Sequence, residues 1–230
     1  HLSLANTLVQ RNCWDEAANI YRHLLRLDPN RAEAYFNLGG VLNKQGKLDE
    51  AVNSFRTFAQ LVPDNAQVHF SLGNTFKKQG HLDEAIASFR EAIARQANYP
   101  EALYNLANSL VECQQIDEAI LYYERAIAIE QDFNQAKFNL AVLLIDRGNF
   151  ELASRYLQQI LEVQPNYIEC YCRLGTILQH QGKLPEAINA LQQALQIQPN
   201  YASAHYQLYN LLSVQDLAAS RQAAESFVHF

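Results

Sequence analysis

Asparagine recurs in this chain at Asn37, Asn105 and Asn139, at spacings that are multiples of 34 residues. Asn74 and Asn108 form a second row, again 34 apart. An asparagine amide both donates and accepts, so a row of them can satisfy an extended peptide backbone without reading its side chains. Phe36, Phe70, Tyr104 and Phe138 form an aromatic row of the same period, and Lys78 and Arg173 add cations. The chemistry on offer is recognition of a stretch of protein. Each row has a structural reading beside it. The asparagines can steady a local hairpin, and aromatics at helical spacing commonly belong to a core.

No catalytic constellation accompanies these rows. The stretch from Gly40 to Gly46-Lys47 resembles a phosphate loop, but it is one residue too long, and Leu48 stands where a hydroxyl must reach magnesium. The seven histidines contain no HExxH pair, and Cys170 and Cys172 lack zinc-ligand spacing. His69 and His205 share a repeat position that elsewhere holds tyrosine, so they read as packing residues. No metal, no other cofactor and no enzyme activity are expected.

What must position the rows is the 34-residue period itself. Pro29, Pro63, Pro165 and Pro199 lie at multiples of it, each followed by Asn or Asp. The copies run 32–65, 66–99, 100–133, 134–167 and 168–201, with a partial copy at 1–31 and an irregular one at 202–230. Counted from the start of each copy, position seven is Leu38, Leu72, Leu106, Leu140, Leu174 and Leu208. Position eight is Gly39, Gly73, Ala107, Ala141 and Gly175. Position eleven, one helical turn beyond the leucine, is Leu42, Phe76, Leu110, Leu144 and Leu178.

Gly46, Gly80, Gly148 and Gly182 then predict a left-handed helix cap. Gln114 and Gln115 replace that glycine in the third full copy and predict a weaker cap. A second helix opens with acids such as Asp49-Glu50 and Asp83-Glu84, which the helix dipole favours. It carries Ala51, Ala85, Ala119, Ala153 and Ala187, then Phe55, Phe89, Tyr123, Leu157 and Leu191 four residues on. Each copy is thus a helical hairpin too small to bury its apolar stripe alone, so neighbours must stack. The chain reads as all-α and as one solenoid domain.

Leu38-Gly39, Leu42, Ala51, Phe55 and Pro63, in this order and spacing, resemble the tetratricopeptide repeat. The resemblance implies a right-handed superhelical solenoid of antiparallel helix pairs, with first helices lining a concave groove that binds peptides. Carried over residue by residue, it places Asn37, Phe70, Asn74, Lys78, Tyr104, Asn105, Asn108, Val111, Phe138, Asn139, Val142, Ile145 and Arg173 on the binding face. Val111, Val142 and Ile145 stand where other copies hold polar residues, which predicts an exposed apolar contact patch. Lys44, Lys77 and Lys78 toward the start, against Glu112 and Asp146 toward the middle, suit a ligand of opposite polarity or a merely solvated face.

The asparagine row is also similar to that in the repeats of O-linked N-acetylglucosamine transferase, which implies an alternative role as the substrate-presenting arm of a larger enzyme. A clamp for chaperone C-termini is not implied. Position two holds Glu33, Gln67, Glu101, Gln135 and Glu169 instead of lysine, and the acids repel a carboxylate.

Composition narrows the partners. Of the 230 residues 49% are hydrophobic, enough for continuous burial, and the net charge of -6 argues against a nucleic-acid backbone. No apolar run approaches the ~20 residues that span a bilayer. The four cysteines form no disulfide framework, which favours reduced thiols and a cytoplasmic setting. The absence of methionine and the start partway through a repeat suggest a piece of a longer protein, and cut end repeats make self-association an alternative. Tyr209 falls where other copies have glycine or alanine, too bulky for a close helix crossing. Ala219, Ala223, Phe227 and Phe230 predict a departing or capping helix.

Overall fold

The computed structural model describes residues 1–213, and the stripe from Ala219 to Phe230 lies outside the described residues. All regular structure among the described residues is helical. The chain divides into two compact units, 1–132 and 133–230.

Unit 1 holds α1 (Leu2–Gln10), α2 (Trp14–Leu27), α3 (Ala32–Lys44), α4 (Leu48–Leu61), α5 (Ala66–Gln79), α6 (Leu82–Arg95), α7 (Pro100–Glu112) and α8 (Ile116–Ile129). Each odd helix packs on the even helix that follows it, and α2, α4 and α6 pack in turn on the next odd helix. The first helices α3, α5 and α7 also touch in sequence. Unit 2 repeats the plan with α9 (Asn134–Asp146), α10 (Phe150–Val163), α11 (Ile168–His180) and α12 (Leu184–Ile197), followed by helical residues at 202–213.

The turn inside each hairpin is set by one backbone angle. Positive φ recurs at Asn12, Gly46, Gly80, Gln114, Gly148 and Gly182, between 60° and 79°. The left-handed residue is therefore Gln114, not Gln115, in the glycine-free copy. Asparagine tolerates this region; glutamine has no local hydrogen bond to offset the strain. Elsewhere Asn65 and Asn149 cap α5 and α10 by accepting from the Val68 and Leu152 amides at 3.0 and 3.4 Å. Pro100 and Pro185 sit in the first turns of α7 and α12, where a missing N–H costs little.

The core follows the repeat. Ala51, Ala85, Ala119, Ala153 and Ala187 have no exposed surface, and Phe55, Phe89, Tyr123, Leu157 and Leu191 are buried beside them. Position eight lies against position twenty-four: a Cβ on Gly39 would meet the Phe55 ring at 2.7 Å. In unit 2 the last described helix closes a cluster of Cys172, Ala187, Leu191, Ala194, Ala204 and Leu211. Tyr209 avoids a crowded crossing by standing 71% exposed, and Tyr206 beside it is 69% exposed.

Candidate functional site

The first-helix face of unit 1 carries a pocket of about 470 Å³ near its N-terminal end, between α1, α2 and α3. Phe36, Val9 and Trp14 give it apolar walls, Asn6 and Asn37 supply amides, and Glu33 and Lys44 supply opposite charges. Tyr21 donates its hydroxyl to Asn6 Oδ1 at 2.5 Å, and Asn37 Nδ2 approaches the same oxygen at 3.4 Å. Burial, with Glu33 adding to it, raises the Tyr21 pKa, so the phenol stays a neutral donor. Gly40 opens the pocket: a Cβ there would meet nothing within 4 Å. Asn74 and Asn108 hold the equivalent positions in the next two copies.

Other predicted residues of unit 1 divide by what they already hold. Asn108 Oδ1 accepts from the Tyr123 hydroxyl at 2.5 Å, the same pairing that Asn6 makes with Tyr21 at the same repeat positions. That asparagine steadies its own hairpin. Phe70 lies between Phe89 and Tyr99, with ring centroids 5.9 and 5.0 Å away, and Tyr104 lies 6.0 Å from Tyr123. These rings are half-buried and share the hairpin core. Tyr99 donates to Gln67 Oε1 at 2.8 Å, and burial, then Glu101, pushes its phenol up to about 12.

Lys78 Nζ donates to Asn43 Oδ1 at 2.5 Å, and Asn43 Nδ2 donates to the buried Thr75 hydroxyl at 2.6 Å. Lys77 pairs with Glu112 at 2.9 Å. The expected polarity of the face is thus partly neutralised within it. Asn74 and Asn105 are half-buried, and their side-chain amides make no hydrogen bond among the described residues. Val111 is half-buried as well.

In unit 2, Phe138 packs on Tyr167 at 5.4 Å. Asn139 and Val142 are half-buried, and Arg173 is exposed. Ile145 corrects the sequence expectation. It is only 9% exposed and does not form part of an open apolar patch. An isoleucine gains by lying against its neighbours, whereas Lys77, at the same repeat position, is half-buried with its charge paired to Glu112.

Sequence reasoning missed Asn6, Val9, Trp14, Tyr21 and Gly40 as one pocket. The available signal was the lone glycine at position nine beside a partial copy that holds the chain's one tryptophan, Trp14. His69 is held half-buried; burial first, then Arg95, lowers its pKa. Arg95 Nε donates to the Pro63 carbonyl at 2.6 Å. Tyr171 and His205, at the same repeat position, bond the carbonyls of Pro165 and Pro199 at 3.1 and 2.8 Å. Tyr171 and His205 thus clasp the proline turns that precede them.

Among the described residues no group of three or more His, Cys, Asp or Glu could hold a metal, and no helix is long and apolar enough to cross a membrane.

Family models described as tetratricopeptide repeat match residues 2–66, 70–134 and 132–200. The chain belongs to the tetratricopeptide repeat family. No curated protein matches it significantly. Solved structures do. The crystal structure of YrrB, described as a repeat protein of this family with an unusual peptide-binding site, is 21% identical with a TM-score of 0.72, covering 82% of this chain and 97% of that one. A crystal structure of MamA is 25% identical with a TM-score of 0.66, covering 70% and 94%. The pilF protein of Pseudomonas aeruginosa is 19% identical with a TM-score of 0.74, covering 89% and 93%. These likenesses establish the all-α repeat fold, which in tetratricopeptide repeat proteins serves as a protein-interaction scaffold.

Proposed function

We propose that this chain is a non-catalytic scaffold that holds an extended segment of a partner protein along its first-helix face. The observation that carries this reading is the unit 1 pocket, where apolar walls stand beside amides and one charge of each sign. Such a mixture accepts one apolar side chain while bonding the backbone around it. The unpartnered amides of Asn74 and Asn105 extend the same chemistry along α5 and α7. YrrB, by its description, is a relative in fold with a peptide-binding site. Free thiols at all four cysteines agree with a cytoplasmic setting. The alternative, a substrate-presenting arm of a larger enzyme, has the asparagine row behind it.

Random peptides displayed on phage and selected against the chain test this directly. Gly40→Trp fills the pocket from an exposed helix position, and Asn74→Ala with Asn105→Ala removes the free amides. Both variants should weaken selected peptides by about tenfold or more. Peptides that bind all three proteins alike would refute the reading. Sedimentation over a concentration range decides self-association on the same samples.

A further inference from the structure

The opposite face of unit 2 holds a larger trough, about 760 Å³, between the second helices α10 and α12. Its floor is Tyr171, Leu174 and Leu178 of α11, and its rim includes Gln158, Gln181 and Glu186. Two of the corresponding seams of unit 1 are bridged by ion pairs. Arg22 pairs with Glu50 at 2.8 Å, and Arg90 with Glu118 at 2.7 Å. Gln45 donates to Asp15 at 2.8 Å, and Gln79 to Asp49 at 2.7 Å.

Three substitutions at the same repeat positions undo those bonds on α10. Gln158 stands where α2, α4 and α6 carry arginine, and Glu186 has no ion-pair partner among the described residues. Glu151 replaces the aspartate and pairs instead with Arg155 on its own helix at 2.6 Å, leaving Gln181 without the bond that Gln45 and Gln79 make. Ser154 replaces an aliphatic residue that is Val52, Ile86, Ile120 and Ile188 in the other full copies, of which Val52 and Ile86 are buried. Ala18 is also small, but there Arg22 and Glu50 close the seam.

The trough therefore lacks the branched aliphatic side chain and the arginine that α4 and α6 carry four residues apart, while Arg155, which is paired with Glu151, and Lys183 line it. We propose that it is a second binding site, separate from the first-helix face, for a helical partner segment that presents an aliphatic residue and an arginine one turn apart. The aliphatic group enters over Leu174 and Leu178, and the guanidinium takes Glu186, replacing the contacts that Ser154 and Gln158 no longer supply.

A fluorescently labelled, alanine-rich helical peptide of roughly 20 residues, with Ile and Arg four apart, is the probe. Two control peptides carry Ser for the Ile or Gln for the Arg. The intact chain should bind the probe at least about tenfold more tightly than either control. Ser154→Ile with Gln158→Arg should raise the melting temperature and remove that preference. Asn74→Ala with Asn105→Ala should leave it unchanged, which separates this site from the first-helix face. Gln158→Arg alone, an exposed change, repeats the test should the double variant fold poorly. Absence of a preference for the probe, or its survival in both α10 variants, overturns the proposal.

Discussion

Gly73 lies under the Phe89 ring, so close that a Cβ on the glycine would stand 2.5 Å from Cε1. The ring is fully buried and has nowhere to retreat. Gly73→Ala should therefore cost about 1–3 kcal/mol as an overpacking strain. At Gly175 the facing side chain is Leu191, and the same added Cβ would sit at 3.1 Å. Phe89→Leu should accordingly rescue Gly73→Ala, and a double-mutant cycle by urea denaturation should give a favourable coupling of about 1 kcal/mol or more. Additive effects would show that the contact is not the constraint.

Gln114 occupies the left-handed cap at φ 60°, where four other copies use glycine. Replacing it with glycine should stabilise the chain by about 0.5–1 kcal/mol through relief of that strain. Asn12, at the same φ, should gain less from the same change, because asparagine already tolerates the region. Equal gains at both sites, read from denaturation midpoints, would contradict this account.

His69 has a lowered pKa, chiefly from burial and then from Arg95. The unfolded chain, near pKa 6.5, then binds a proton over a window in which the folded chain does not. Stability is complete above that value and falls as pH drops below it. His69→Tyr, which installs the residue found at the same repeat position in Tyr35 and Tyr171, should flatten the loss of melting temperature on going from about pH 7.5 to about pH 5.5. An unchanged slope would assign the acid sensitivity to other groups.

Burial, then Glu169, pushes the Cys170 thiol up to about 12 and Cys172 up to about 11. Both are buried and unpaired, so neither supplies thiolate at about pH 8. A thiol reagent should label these two only at the rate of unfolding, while the half-buried Cys13 and Cys113 are reached from the native state. Rapid reaction of all four cysteines in native buffer would contradict the packing around α11.

Much of the fold was legible because a period of 34 writes each structural need several times. Leu106 and Leu140 are fully buried, and the φ series from Asn12 to Gly182 repeats without a break. Position four was less legible. The histidine and tyrosine there share no size class with the leucine and lysine of other copies, and their common feature, a bond to the preceding proline carbonyl, appears only in three dimensions. Ile145 was placed outside on its position alone, and burial reverses that.

By itself the sequence determined the helix pairs, their caps and the faces they hide, since these depend on neighbours three or four residues away. Only the tertiary structure decided which polar groups remain free. Asn108 and Asn74 share a repeat position, yet only Asn108 faces a tyrosine hydroxyl; Lys77 looks available in the chain and is paired to Glu112 in the fold. A hydrogen-bonding group is open to a partner only when no nearer group has claimed it, and nearness between residues 15 or 35 apart is set by how the hairpins pack.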